Sequence, residues 1–404
     1  MMSEHYPIMP LGEVVLDMKD GGTPKRSVPE NFGGDINWCV VKDIKPEIFD
    51  SKEKLTQQGL DKSSAKLWPA NSIIISLGAT IGKIGIARVP TATKQGLSGI
   101  VVNEELITVE FLVYVLHHKV REIQGLATGT TIKEVRPRKL MSELKIPVPP
   151  LEEQQRIVKI INENFAIIQS AIEDTNRNIA NALDYFHSYL NRVFTELRDG
   201  LSSKPLSDFF DIGSSKRIMQ SEWTQSGVPF WGGKEIVKLS NFGRTDSNAF
   251  ISEEKYQEYF SKYDMPMEGD ILMTARGTIG VGYIVKNTDK FYYKDGNIIS
   301  FRAKVPTNSN FVLYTFKSNL ILNQLRNLEG TTVRHLPIRR AKQLLIEMPS
   351  FEVQNKIVEQ LSIVDNFTKK LGKILNLKVE KLTNLKHSIL QEAFNGNLTK
   401  EITA

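Results

Sequence analysis

A chain of 404 residues is long enough for two or three domains, each with its own core. No apolar run approaches the ~20 residues a bilayer-spanning helix needs, and the single cysteine, Cys39, excludes an intramolecular disulfide and any multi-cysteine zinc site. A net charge of +6 and a pI near 9.0 point towards an anionic partner. The first ten residues lack a basic stretch followed by an apolar one, so the expectation is a cytoplasmic protein without membrane contact.

The first segment opens with Pro10-Leu11-Gly12-Glu13-Val14-Val15. An apolar run then passes into a glycine-rich turn, Ser72-Ile73-Ile74-Ile75-Ser76-Leu77-Gly78-Ala79-Thr80-Ile81-Gly82. A short β-branched run bounded by glycine predicts a buried strand, and Phe111 to Gln124 reads as helix. At Pro149 a proline-containing segment leads into a long amphipathic stretch. There Ile161, Phe165, Ile168, Ile172, Thr175, Ile179, Ala182, Phe186, Tyr189 and Val193 alternate steps of four and three.

The text then repeats. Pro205-Leu206-Ser207-Asp208-Phe209-Phe210 matches the opening, and Ile271-Leu272-Met273-Thr274-Ala275-Arg276-Gly277-Thr278-Ile279-Gly280 matches the apolar run and its turn. Phe311 to Asn323 reads as helix. The stretch from Ile146 to Phe194 returns at Ile346 to Phe394 with a gapless offset of 200 residues. Its second amphipathic series is Ile357, Leu361, Val364, Thr368, Leu371, Leu375, Lys378, Leu382, Leu385 and Ile389. Apolar spacing of 3.5 held over about four heptads predicts a coiled-coil seam. The fold class expected is α+β: two mixed α/β domains separated by two long helices packed as an antiparallel coiled coil. The boundaries fall at 1–150, 151–200, 201–350 and 351–404. As one helix, Leu151 to Leu197 would span at most about 70 Å at ~1.5 Å per residue, about 20 base pairs of B-DNA.

The positive charge is concentrated. Residues 128–145 carry a net +3 and residues 330–345 a net +4, so the rest of the chain is close to neutral. The two windows hold equivalent places in the two copies, which favours phosphate contact over general solubility. Arg136, Arg138, Lys139, Arg334, Arg339 and Arg340 are the leading candidates, because a guanidinium grips phosphate bidentately or reads guanine. Lys133 lies in the same window. Thr130-Thr131 and Thr331-Thr332 offer hydroxyls beside these cations, although such turns also stabilise themselves through side-chain-to-backbone bonds. Gly78-Ala79-Thr80-Ile81-Gly82-Lys83 is too short for a nucleotide-binding loop and has Ile84 where a magnesium-holding hydroxyl belongs. A tight turn is the favoured reading there, with Thr80, Lys83, Arg276 and Thr278 as DNA-facing positions. Lys25, Arg26, Lys216 and Arg217 read as exposed charge, and Trp38, Trp68, Trp223 and Trp231 as core. No catalytic set and no metal-ligand spacing emerge.

The ordered set of motifs resembles the specificity subunit of type I restriction-modification systems along essentially the whole chain. It comprises Gly21-Gly22-Thr23-Pro24, Ser226-Gly227-Val228-Pro229-Phe230, the paired Gly-Thr-Thr turns, the Pro-x-x-Glu-x-Gln helix entries and the ending Leu385-Lys386-His387-Ser388-Ile389-Leu390-Gln391-Glu392-Ala393-Phe394-Asn395-Gly396. That resemblance implies a non-enzymatic chain whose two target-recognition domains each read half of a bipartite double-stranded DNA site. It also implies helices that set the spacing and dock two modification (methyltransferase) subunits, with restriction (translocase and nuclease) subunits as further partners. S-adenosylmethionine, ATP and Mg would belong to those partners, and this chain would hold no cofactor. A coiled-coil scaffold binding proteins through its globular ends is the alternative, and it leaves the basic windows unexplained.

Overall fold

The computed structural model describes residues 6–129, 133–198, 200–326 and 335–398. They fall into two compact units, residues 1–176 with 377–404, and residues 177–376.

In the first unit a five-stranded sheet runs in the order Val15–Asp20, Leu97–Val102, Ser72–Ser76, Ile84–Ala87 and Glu47–Ile48, antiparallel except for the last pair. A four-stranded sheet of Lys54–Leu55, Phe32–Cys39, Thr91–Thr93 and Leu67–Trp68 accompanies it. The run Ser72–Ser76 is buried on both faces, as its uninterrupted apolar text requires. Ile73 and Ile75 enter one core with the helix Val109–His118, while Ile74 points the other way towards Trp68. Thr108 caps that helix, its hydroxyl oxygen accepting from the Phe111 amide. The helix expected from 111 to 124 is two helices broken at Lys119.

The second unit repeats the plan. Phe210–Gly213, Ile298–Ala303, Ile271–Thr274 and Gly282–Ile284 form an antiparallel sheet. Phe250–Ile251, Val228–Trp231 and Tyr292–Tyr293 form a smaller one with one parallel pair. Ile271 and Met273 face one core and Leu272 the other. The main departure is the helix Gly233–Phe242, inserted where the first unit has only the short strand Glu47–Ile48.

Two long helices, Leu151–Arg198 and Phe351–Phe394, pack on each other with opposite direction in each unit. In the first, Ile157 and Ile161 share a core with Leu390, Ala393 and Phe394. In the second, Phe186, Leu190 and Phe194 meet Ile357 and Leu361. The expected seam needs one correction. Lys378 and Leu385 are exposed, and Val379 and Lys386 take their places. Lys386 lies over the Phe165 ring and donates to Gln169 Oε1 at 3.0 Å. The turned-in positions 375, 379, 382, 386 and 389 repeat 175, 179, 182, 186 and 189 of the first helix, so the spacing of four and three holds and only its phase shifts by one residue.

The repeated glutamine of the helix entry has a structural role. Gln154 and Gln354 are both buried. Gln154 Oε1 accepts from the Thr108 amide at 2.7 Å and Gln354 Oε1 from the Asn308 amide at 2.8 Å. Their Nε2 groups donate to the carbonyls of Pro149 and Pro349. Each long helix is thereby locked to its globular part through backbone groups that burial would otherwise leave unpaired. No helix among the described residues is long and apolar enough to cross a membrane.

Candidate nucleic-acid interface

The glycine turn of the first unit is a rigid hairpin. Ser76 holds both sides, its hydroxyl accepting from the Lys83 amide at 2.9 Å and its carbonyl from the Gly82 amide at 2.9 Å. Gly82 has φ +99°, and a Cβ there would sit 2.5 Å from the Val120 side chain. Thr80 and Lys83 are exposed on this turn. Val135 N donates to Leu77 O at 2.8 Å, which ties the basic window 133–139 to the hairpin. Lys133, Arg136 and Arg138 are exposed, the last on the short helix Pro137–Glu143. Lys139 is half-buried and donates to Leu126 O at 3.1 Å, so part of its work is structural. Thr130 and Thr131 lie outside the described residues.

The second unit rebuilds this frame with equivalent bonds and one addition, from the Thr274 hydroxyl to the Thr278 carbonyl. The Thr274 hydroxyl accepts from the Val281 amide at 3.1 Å and donates to the Thr278 carbonyl, while Gly280 N donates to Thr274 O at 3.0 Å. Leu336 N donates to Ala275 O at 2.7 Å, the counterpart of the Val135–Leu77 bond. Arg276 and Thr278 are exposed on the turn, and Arg339 and Arg340 on the helix Ile338–Gln343. Thr331, Thr332 and Arg334 lie outside the described residues.

Laid on that common frame, three equivalent positions differ in charge. Asp20 Oδ1 accepts from the Gly96 amide at 3.2 Å, whereas Ser214 Oγ accepts from the Gly296 amide at 3.3 Å. Gly78 corresponds to Arg276, and Glu134 to His335, whose Nε2 lies 3.2 Å from Gly296 O. Desolvation pushes the Asp20 carboxyl upward and nearby Glu134 adds to this, against the amides of Gly96 and Gly21, which lower it. In the second unit, Arg217, Trp223, Arg276, Lys294 and His335 line one open cleft with the acid Asp295. The Lys294 ammonium lies 5.7 Å from the centre of the Trp223 ring.

In the first unit two nearby cations are paired with acids. Arg26 pairs with Glu53 and stacks on Phe32 and Trp38, and Lys66 pairs with Asp17. Trp38, Trp68 and Trp231 are buried core residues as expected, and Trp223 is half-buried, packed against a core cluster with its ring on Phe230. Asp20, Ser214 and Lys294 were not among the candidate residues. Matching the strand ends across a local offset of 194 would have found the Asp20–Ser214 pair. Among the described residues no cluster could hold a metal ion.

The long helices present a different surface. Ile167 is 69% exposed and Leu385 46% in the first unit, and Tyr185 is 61% and Phe367 65% in the second. Each stands one residue before a residue turned to the helix contact, namely Ile168, Lys386, Phe186 and Thr368. In an antiparallel pair that offset carries both members to the same side. Position 167 repeats at 367 and 185 at 385, so each unit displays the same two positions.

A family model described as the type I restriction modification DNA specificity domain matches residues 4–180 and again residues 199–381. The MjaIX type I restriction enzyme specificity subunit of Methanocaldococcus jannaschii is 23% identical over 86% of this chain and 83% of its own length. The EcoKI specificity subunit of Escherichia coli K12 is 24% identical over 99% and 90%. Among solved structures, a chain from work on complex assembly and conformational transition of the type I R-M system superposes with a TM-score of 0.79 at 19% identity, covering 98% of this chain and 100% of that one. The HsdS subunit of Thermoanaerobacter tengcongensis gives a TM-score of 0.57 at 19% identity, with 98% of each chain covered.

Proposed function

Since the chain belongs to the type I restriction-modification DNA specificity family, as its non-catalytic component, we propose that its two globular parts each read one half of a bipartite, asymmetric double-stranded DNA site. Residues 1–150 and 201–350 are the two readers, and 151–200 and 351–404 the spacer. The observation that carries this reading is the duplicated hairpin frame, with its basic window attached by the same bond each time but with different side chains on display. A shared frame gives both readers the same approach to the phosphate backbone, and unlike side chains give them different half-sites. Arg136, Arg138 and Lys133 in one copy, and Arg339 and Arg340 in the other, are the phosphate-contacting set, with Thr80, Lys83 and Thr278 on the adjoining turns.

The exposed pairs Ile167–Leu385 and Tyr185–Phe367 support docking of two modification subunits, because one partner surface repeated twice needs the same positions twice. Restriction subunits, S-adenosylmethionine, ATP and magnesium enter with those partners. Mapping methylated adenines in cells with and without this gene tests the reading. A split, non-palindromic motif should disappear, and it should also disappear when Ile167→Asp is combined with Phe367→Asp while the chain's own unfolding curve stays unchanged. No lost motif in the deletion would sink the proposal. A motif retained in the double variant would sink the docking surface.

A further inference from the structure

Resting on the DNA-specificity reading, the geometry points to Arg276 as the guanine-reading side chain of the second domain, with no counterpart in the first. A base reader must be chemically matched, free, and carried on a part of the fold that does not move. The guanidinium fork matches O6 and N7 of guanine in the major groove, a geometry lysine cannot reproduce.

Arg276 is exposed, and among the described residues it forms no ion pair. Its neighbour Ala275 is pinned from both sides, its amide donating to Asn297 O at 2.8 Å and its carbonyl accepting from Leu336 N at 2.7 Å. The Thr274 hydroxyl closes the turn on the far side.

The other two cations of the cleft are less suited. Lys294 is a point charge already set over the Trp223 ring. Arg217 stands in a stretch without regular structure, 214–219. Those two supply backbone attraction and Arg276 supplies the choice of base. At the equivalent place in the first domain stands Gly78, where a Cβ would approach the Gly96 backbone to 3.2 Å. Position 78 therefore carries no side chain towards a base, so guanine selection by this device belongs to one half-site alone.

The test uses the full chain assembled with its modification subunits and a DNA library randomised across the site, read by enrichment sequencing. Arg276→Lys and Arg276→Ala should each relax one G·C position by roughly tenfold to a hundredfold, in one half-site only. Arg276→Lys should keep the wild-type salt dependence. Lys294→Ala should weaken binding to all sequences alike. The inference is overturned if Arg276→Lys keeps the full preference, if the relaxed position is an A·T pair, or if both halves relax together. A wild-type complex that enriches no sequence at all overturns the DNA-specificity reading itself. A clear wild-type motif left intact by both Arg276 variants overturns only the assignment of Arg276.

Discussion

The two hairpin regions differ least in their hydrogen bonds and most in what those bonds hold up. Ser76 and Thr274, Leu77 and Ala275, Val135 and Leu336 make equivalent contacts at nearly the same lengths. Yet the first region displays Asp20, Gly78 and Glu134 where the second displays Ser214, Arg276 and His335. Backbone groups must be satisfied wherever the strand ends are buried, which fixes the frame. Exposed side chains at the rim carry no such obligation and are free to diverge. A surface built this way can change what it selects without refolding.

The largest effect should come from breaking the glutamine locks that hold the long helices to the globular parts carrying the two frames. Gln154→Ala and Gln354→Ala each leave buried backbone groups unpaired, which costs about 1–3 kcal/mol apiece in denaturant unfolding. Gln154→Ala should be the more damaging. Gln154 Nε2 donates to two carbonyls, Leu106 O and Pro149 O, whereas Gln354 Nε2 has Pro349 O and the softer Met348 sulfur at 3.3 Å. Equal losses, or a greater loss for Gln354→Ala, would show that these locks are not what distinguishes the two units.

A smaller effect should come from the basic windows. Arg138 and Arg339 stand at equivalent exposed positions on the helices Pro137–Glu143 and Ile338–Gln343. Replacing either by alanine should lower the slope of log affinity against log salt by about 1 while leaving sequence preference intact. Lys139 and Arg340 should part company, because Lys139 is tied to Leu126 O. Arg340→Ala should change the slope more than Lys139→Ala. If Arg138→Ala relaxed a base preference instead, the division between a positioning frame and reading turns would be wrong.

Much of this was legible in the text of the chain. The gapless 200-residue echo and the heptad spacing gave both long helices, because helix faces are set by periodicity, which survives substitution. The strands at Ser72–Ser76 and Ile271–Thr274 were legible as short apolar runs closed by glycine turns. The helix Gly233–Phe242 was not, since it is an insertion in one copy only. Lys378 and Leu385 were misplaced on the seam because the apolar Leu385 drew the alternation of four and three one residue out of phase with the first helix, where the true position holds the polar Lys386. The site was read in part. Arg138 and Arg339 stood out as charge, but Asp20 and Ser214 lie on opposite sides of a change in offset. Only the pairing of strand ends brings each beside its turn glycine.

The smallest expected effect tests that last pair. Asp20→Asn keeps an oxygen to accept from Gly96 and removes one negative charge from the first interface. It should raise DNA affinity about twofold to fivefold, the scale of a partly exposed ion interaction, and Ser214→Asp should lower it similarly in the second. The pH dependence gives an independent sign. A carboxyl whose pKa is raised on folding binds its proton more tightly in the folded state. Its contribution is therefore favourable at low pH and is lost as pH rises from the unfolded value through the raised one. Asp20→Asn should accordingly gain stability over the wild type above that window and lose the advantage below it, as pH-dependent unfolding would show. If Asp20→Asn weakened binding instead, the carboxylate would be accepting from a cytosine amino group. The first domain would then read by anion where the second reads by cation.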